Sequence, residues 1–152
     1  MNLQLGDVSH IIQLAIAPVF LLTGVGTKLS VLTSRLARII DRARVVEELL
    51  LKDARNRDEL EEELDELYRR SHLINRAITL STGTGLLICL VIAALFLGDA
   101  TGLSLDKFIA ALFVGGILSL IGSFIFFMRE IFVATQTLSR QHQRDKIRRS
   151  QH

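Results

Sequence analysis

The run LTSRLARIIDRARVVEELL, Leu32 to Leu50, joins two properties that rarely go together. No Pro or Gly separates it from the apolar residues before it, and it carries four arginines, yet its apolar residues keep a strict rhythm. Leu32, Leu36, Ile39, Ala43, Val46 and Leu50 recur at alternating steps of four and three, the a and d positions that return to one face of a coiled-coil helix. Leu60, Leu64, Leu67, Ser71, Ile74 and Ile78 repeat the pattern. With a reversal near Arg55, in KDARNRD, the two sets face each other, from 50 with 60 to 32 with 78, and every pair sums to 110. The charged residues there suit a short turn, and Asn56 tolerates left-handed backbone. Ser71, opposite Ile39, is the one polar intruder.

On either side of this region the chain reads as membrane. Of 152 residues, 49% are hydrophobic, with one Pro and no Trp, a mix that fits a polytopic membrane protein better than a soluble domain. Val8 to Thr27, Ala77 to Gly98 and Phe108 to Met128 each reach the roughly 20 apolar residues needed to cross a bilayer. The connection DATGLSLDK is short, so the second and third spans are antiparallel neighbours. The N-terminus carries Asp7 and no basic residue, unlike a cleavable signal, so the first span is expected to be retained.

Basic residues resist translocation. Ten Lys or Arg fall between Arg35 and Arg76 and six from Arg129 onward, against Lys107 alone on the other side. The expected orientation is therefore N-terminus outside and C-terminus cytoplasmic. The expected fold is an all-α membrane protein of three transmembrane helices, with a cytoplasmic antiparallel coiled-coil hairpin between the first and second. Its segments are 1–34 (first span), 35–76 (hairpin), 77–98 (second span), 99–107 (external loop), 108–130 (third span) and 131–152 (basic tail). Each hairpin arm extends about 30 Å beyond the bilayer at 1.5 Å per residue.

Charge along the hairpin is graded. Near the membrane Arg35, Arg38, Arg42, Arg44, Arg69, Arg70 and Arg76 form a collar with Asp41 the lone acid, suited to a vestibule or to anionic lipid headgroups. Toward the tip acids prevail, from Glu47 to Glu66, as on a solvated helix surface. Within the first span Gln13, Thr23, Gly24, Thr27, Ser30 and Ser34 occupy about one third of the helix circumference, and Lys28 lies next to this stripe. Two readings are compatible: glue between helices, or the lining of a wet path in an oligomer. Lys28 supports the second if its ammonium faces the path, and neither if it snorkels to the headgroups.

In the second span, Asn75, Thr79 and Thr82 share a face, with Gly83 and Gly85 nearby; in the third, Gly115, Ser119 and Ser123 repeat the small-xxx-small spacing that lets helices approach closely. Arg129 and Glu130 stand at the inner end of the third span, placed to pair with the collar or to mark the interface. Pro18 removes one helical hydrogen bond and is a candidate kink. Cys89 is single, excludes an intrachain disulfide, and reads as a small packing residue.

The four histidines are scattered without ligand spacing, so no metal or other cofactor is expected. TGVGTK and TGTGLL lack the strand-to-helix setting of a phosphate loop. No nucleophile, base and acid constellation is visible, and no enzyme is expected. The basic tail, Arg140 to Arg149, lacks aromatics and any nucleic-acid motif, so the expected partners are copies of itself, anionic lipids and a cytoplasmic protein, with no nucleic acid.

LAIAPVFLLTGVGTKLSVLTSRLARIIDRAR, Leu14 to Arg44, resembles a bacterial family of small three-helix membrane proteins catalogued as domain of unknown function 2721, through Ala17-Pro18, LLTG at Leu21 to Gly24 and SRLARIIDRAR from Ser34. The order and length of the remaining segments also fit. The resemblance implies a bacterial inner-membrane location. It implies no activity and supplies no site residues. Two functions of different kind follow: a homo-oligomeric channel or transport protein with its path lined by the first helix, or a membrane scaffold or regulatory protein whose hairpin binds a partner.

Overall fold

The computed structural model describes residues 5–52 and 57–149, with side-chain surroundings for 9–52 and 57–135. Among the described residues there are three helices and no strand: α1 (Leu5–Lys52), α2 (Arg57–Thr101) and α3 (Asp106–Arg149). The reversal expected near Arg55 falls at 53–56, outside the described residues, as do the side chains of the basic tail.

All three helices exceed their apolar windows because nothing stops them. α1 continues through Pro18, and α3 contains no Pro and no Gly beyond Gly122, so helix extends into the basic tail as far as Arg149. Asp58 and Glu59 in the first turn of α2 offset the positive end of its dipole. The connection from α2 to α3 is shorter than expected, 102–105. Gly102 ends α2 with φ of 66°, a left-handed conformation that costs glycine nothing, and its N–H donates to Asp99 O at 3.4 Å. Ile109 N–H donates to Leu105 O at 2.9 Å and starts α3.

The chain divides into two compact units, Met1–Val31 with Ile78–Ser123, and Leu32–Ala77 with Phe124–His152. In the first, Ile11, Ala15, Val25, Ile88, Val91 and Ala94 form the apolar core, while Ser81, Thr84 and Ser123 are buried polar residues. Small residues on α3 let α2 approach. A Cβ on Gly116 would meet Ile88 Cδ1 at 3.2 Å, and one on Gly122 would meet Leu80 Cδ1 at 3.2 Å. Thr84 Oγ1 donates to Leu80 O at 3.0 Å and contacts Gly116 O at 3.3 Å, and Ser119 Oγ donates to Leu80 O at 2.8 Å. Rising numbers on α2 meet falling numbers on α3, so the two are antiparallel. Ile12, Leu14, Phe20, Leu86, Leu90, Val114, Leu118 and Ile121 remain exposed, as expected for residues that face lipid.

In the second unit the core is Leu32, Ile39, Ala43, Val46, Leu67, Ile74 and Ala77, with Glu130 fully buried among polar partners. All twelve residues selected by the four-and-three spacing, in both sets, are buried or half-buried. Arg42 Nε donates to Glu63 Oε1 at 2.7 Å and Tyr68 Oη to Glu47 Oε1 at 2.6 Å, linking α1 to α2 on either side of that apolar line.

Candidate functional site

Two polar layers draw side chains from all three helices. In the first unit Lys28 Nζ donates to Ser123 Oγ at 2.8 Å, and Ser123 Oγ lies 2.8 Å from the buried Ser81 Oγ. In the second unit Glu130, with no exposed surface, takes two arginines: Arg70 Nε and Nη2 donate to Oε1 at 3.1 and 3.0 Å, and Arg35 Nη2 lies 2.9 Å from Oε2. The Arg35 contact is an ion pair without hydrogen-bond alignment, since Oε2 has no hydrogen-bond partner. A charge buried this fully is tolerated only when paired, and a carboxylate between two guanidinium groups meets that condition. Lys28 and Arg35 stand seven apart, as do Ser123 and Glu130, so each helix presents both of its groups on one face.

The collar arginines divide. Arg35, Arg38, Arg42 and Arg70, with Ile39 and Leu67, line a cleft of about 310 Å³ in the second unit. Three of the four are fixed: Arg35 and Arg70 by Glu130, Arg42 by Glu63. Among the described residues Arg38 has no ion-pair partner. Arg35 also lies over the Phe127 ring, 5.5 Å from its centroid, and Arg76 over Phe126 at 5.8 Å. Arg44 and Arg69 are exposed. Glu63 holds the Arg42 guanidinium above its ordinary pKa through their hydrogen bond, and Glu47 raises the Tyr68 phenol in the same way.

The polar face of α1 lies elsewhere. Gln13, Thr23, Thr27 and Ser30 are exposed in the first unit, and Ser34 is exposed in the second. Thr23 Oγ1 donates to Val19 O at 3.2 Å and Thr27 Oγ1 to Thr23 O at 3.1 Å, so both hydroxyls bond to their own helix. Lys28, grouped with them by composition, is half-buried and turned toward α3, because Ser123 offers an acceptor there. Among the helix-packing candidates, a Cβ on Gly83, Gly85 or Gly115 would make ordinary contacts, with Ser119 at 3.6 Å, Val25 at 3.7 Å and Leu87 at 3.8 Å, while Ser119 and Ser123 bond to α2 through Leu80 O and Ser81 Oγ. Asn75, Thr79 and Thr82 form an exposed face of α2, whereas Ser81 and Thr84 take the interior. Cys89, expected to pack, is exposed. Of Arg129 and Glu130 only the acid is buried.

Ser81 and Thr84 continue the buried series of α2, Ile74, Ala77, Ser81, Thr84, Ile88 and Val91, at steps of three and four. Neither was singled out from the sequence, and continuing that spacing from Ile74 and Ala77 is the signal that would have found them.

The helices and their polar layers define an all-helical, multi-pass membrane protein: all three are long and apolar enough to cross a bilayer. The chain belongs to the family described as Protein of unknown function (DUF2721), whose model matches residues 15–140. No curated protein and no solved structure matches it.

Proposed function

We propose that this protein lies in a bacterial inner membrane, with its N-terminus outside and its C-terminus cytoplasmic, and assembles with copies of itself into a channel or transport path. The observation that carries this reading is the exposed polar face of α1. Gln13, Thr23, Thr27 and Ser30 project from a helix apolar enough to span lipid, and nothing lies within 4 Å of a Cβ placed on Gly24 or Gly26. The Thr23 and Thr27 hydroxyls already bond to their own helix, and what a second copy or a column of water would add is partners for the Gln13 amide and for the accepting oxygens of those hydroxyls. The basic residues between Arg35 and Arg76 support the orientation, and arginines at one end of such a path favour anions. In this reading 35–76 is a cytoplasmic antiparallel coiled-coil hairpin, and no catalysis, cofactor, metal or nucleic acid takes part.

The test is anion flux in liposomes containing the purified protein. Flux is expected from the wild type and is expected to fall in Thr23→Leu and Thr27→Leu, which leave the interior contacts of the first unit in place. Absence of flux under every salt and voltage removes the channel reading.

A second reading is supported by Val45, Leu49 and Leu51, which are 46%, 41% and 88% exposed on α1 far from its apolar window. A scaffold or regulatory protein would use such residues to hold a cytoplasmic partner. Copurification lost on changing all three to Ser, with assembly intact, favours it.

A further inference from the structure

Four guanidinium groups brought around one small cleft repel each other, and among the described residues two carboxylates form ion pairs with them. Glu130 holds Arg35 and Arg70, and Glu63 holds Arg42, which leaves a balance of two positive charges at the cleft. The carboxylates do more than neutralise: Glu130 is fully buried, accepts two hydrogen bonds from the Arg70 fork and pairs with Arg35 from another helix, so the remaining N–H groups of Arg70 are oriented before any ligand arrives. Arg38 is exposed and makes no ion pair among the described residues. Ile39 and Leu67, each nearly buried, form an apolar wall. A volume of about 310 Å³ suits a small group, at the lower end of ligand pockets.

We propose that the cleft of Arg35, Arg38, Arg42 and Arg70 binds one phosphate group, carried by free phosphate or by a lipid phosphomonoester headgroup. Phosphate at neutral pH carries about one and a half to two negative charges and matches the balance at the cleft. Its oxygens accept paired N–H groups from planar guanidinium forks, a geometry that arginine provides and lysine does not. Chloride offers neither the charge nor the fork geometry. The proposal stands whether or not the chain assembles into a transport path.

The experiment uses the full chain in nanodiscs of phosphatidylcholine, titrated with inorganic phosphate by calorimetry, with chloride as comparison. A second arm measures retention of phosphatidic acid against phosphatidylcholine by native mass spectrometry. Arg38→Gln removes a cleft charge and leaves both carboxylate pairs untouched; Arg69→Gln removes an equal charge from the exposed collar outside the cleft. Loss of one charge-assisted contact is expected to weaken binding about tenfold or more in Arg38→Gln and hardly at all in Arg69→Gln. Binding in the calorimetric arm alone supports the site with free phosphate as its source, and binding in the lipid arm alone supports it with a headgroup. Wild-type protein that prefers neither phosphate over chloride nor phosphatidic acid over phosphatidylcholine overturns the proposal. So does equal weakening by the two variants, which would assign the binding to general surface charge.

Discussion

Glu130→Gln removes a negative charge from the centre of the second unit while keeping the shape of the side chain. Two guanidinium groups then face a neutral amide. At about 4 Å between charge centres and an effective dielectric constant near 20, each pair contributes roughly 4 kcal/mol of attraction. Much of that offsets desolvation. Arg35 and Arg70 keep 29% and 22% of their side-chain surface, so water recovers part of the loss once the carboxylate is gone. Breaking a buried pair from one side costs about 3–5 kcal/mol, and the glutamine oxygen still accepting from Arg70 returns about 1 kcal/mol. The expected destabilisation is about 2–4 kcal/mol. It is measured by titrating purified protein in dodecyl maltoside with sodium dodecyl sulfate, following the fluorescence of Tyr68, the only tyrosine in a chain without tryptophan. A companion variant changes Arg35, Glu130 and Arg70 together to Met, which removes desolvation and attraction at once and is expected to lie closer to wild type than Glu130→Gln. Glu130→Gln within about 0.5 kcal/mol of wild type, or a triple variant less stable than the single one, refutes the reasoning.

Ser123→Ala takes from Ser81 the oxygen 2.8 Å away and from Lys28 its acceptor, and about 1–3 kcal/mol of stability is expected to be lost in the same titration. Gly116→Val drives a branched side chain toward Ile88 Cδ1, already 3.2 Å from a modest Cβ, and is expected to cost about 1–3 kcal/mol; Gly24→Val, with open space around it, is expected to leave unfolding unchanged and to reduce crosslinking between copies. The Tyr68 phenol is expected to ionise above its ordinary pKa in phenolate absorbance, because its O–H donates a hydrogen bond to the Glu47 carboxylate, and Glu47→Gln is expected to bring the titration back down. Stability from that contact is present below the phenol's unfolded pKa and is lost as pH rises through the folded one.

Periodicity carried most of what the sequence revealed. The apolar line through Leu32, Ile39 and Val46 is legible because helix geometry returns every seventh residue to one face, and the same period runs further than the Leu32 to Leu50 stretch: Ile11, Pro18, Val25, Leu32, Ile39 and Val46 are all buried. Spans were legible from length and composition. The polar interior was harder, because a hydroxyl is equally at home in a helix contact or on a lipid-facing turn bonded to its own backbone. Thr27 and Ser123 look alike in composition, yet Thr27 bonds to Thr23 O on an exposed face while Ser123 sits between two helices. Lys28 was grouped with the exposed stripe for the same reason. What separates these residues is the position of α3, and a pattern read along one helix does not contain it. Glu130 was legible as a partner for the collar, but not which of seven arginines it would take.

An apolar line of period seven leaves one ambiguity that its own residues do not resolve. Sliding α3 along α1 by seven residues keeps apolar faces together, so burial alone distinguishes the registers weakly. Cations on α1 recur at the same period, Lys28, Arg35 and Arg42, and each meets a different acceptor: Ser123, Glu130 and, from α2, Glu63. A slip in one direction brings Glu130 to Arg42, which Glu63 already holds, and leaves Arg35 with a serine. The opposite slip brings Glu130 to Lys28 and sets Ser123 beside Leu21, where there is no donor. Each unit by itself has the same offset between α1 and α3: Ser123 follows Lys28, and Glu130 follows Arg35, by ninety-five positions. Buried ion pairs add little net stability compared with apolar packing, but a wrong register here strands a buried carboxylate or a guanidinium. The polar layers therefore act through the cost of the alternatives, selecting one register from several that the apolar residues would accept, and in that register Glu130 reaches both Arg35 and Arg70, which line the arginine cleft.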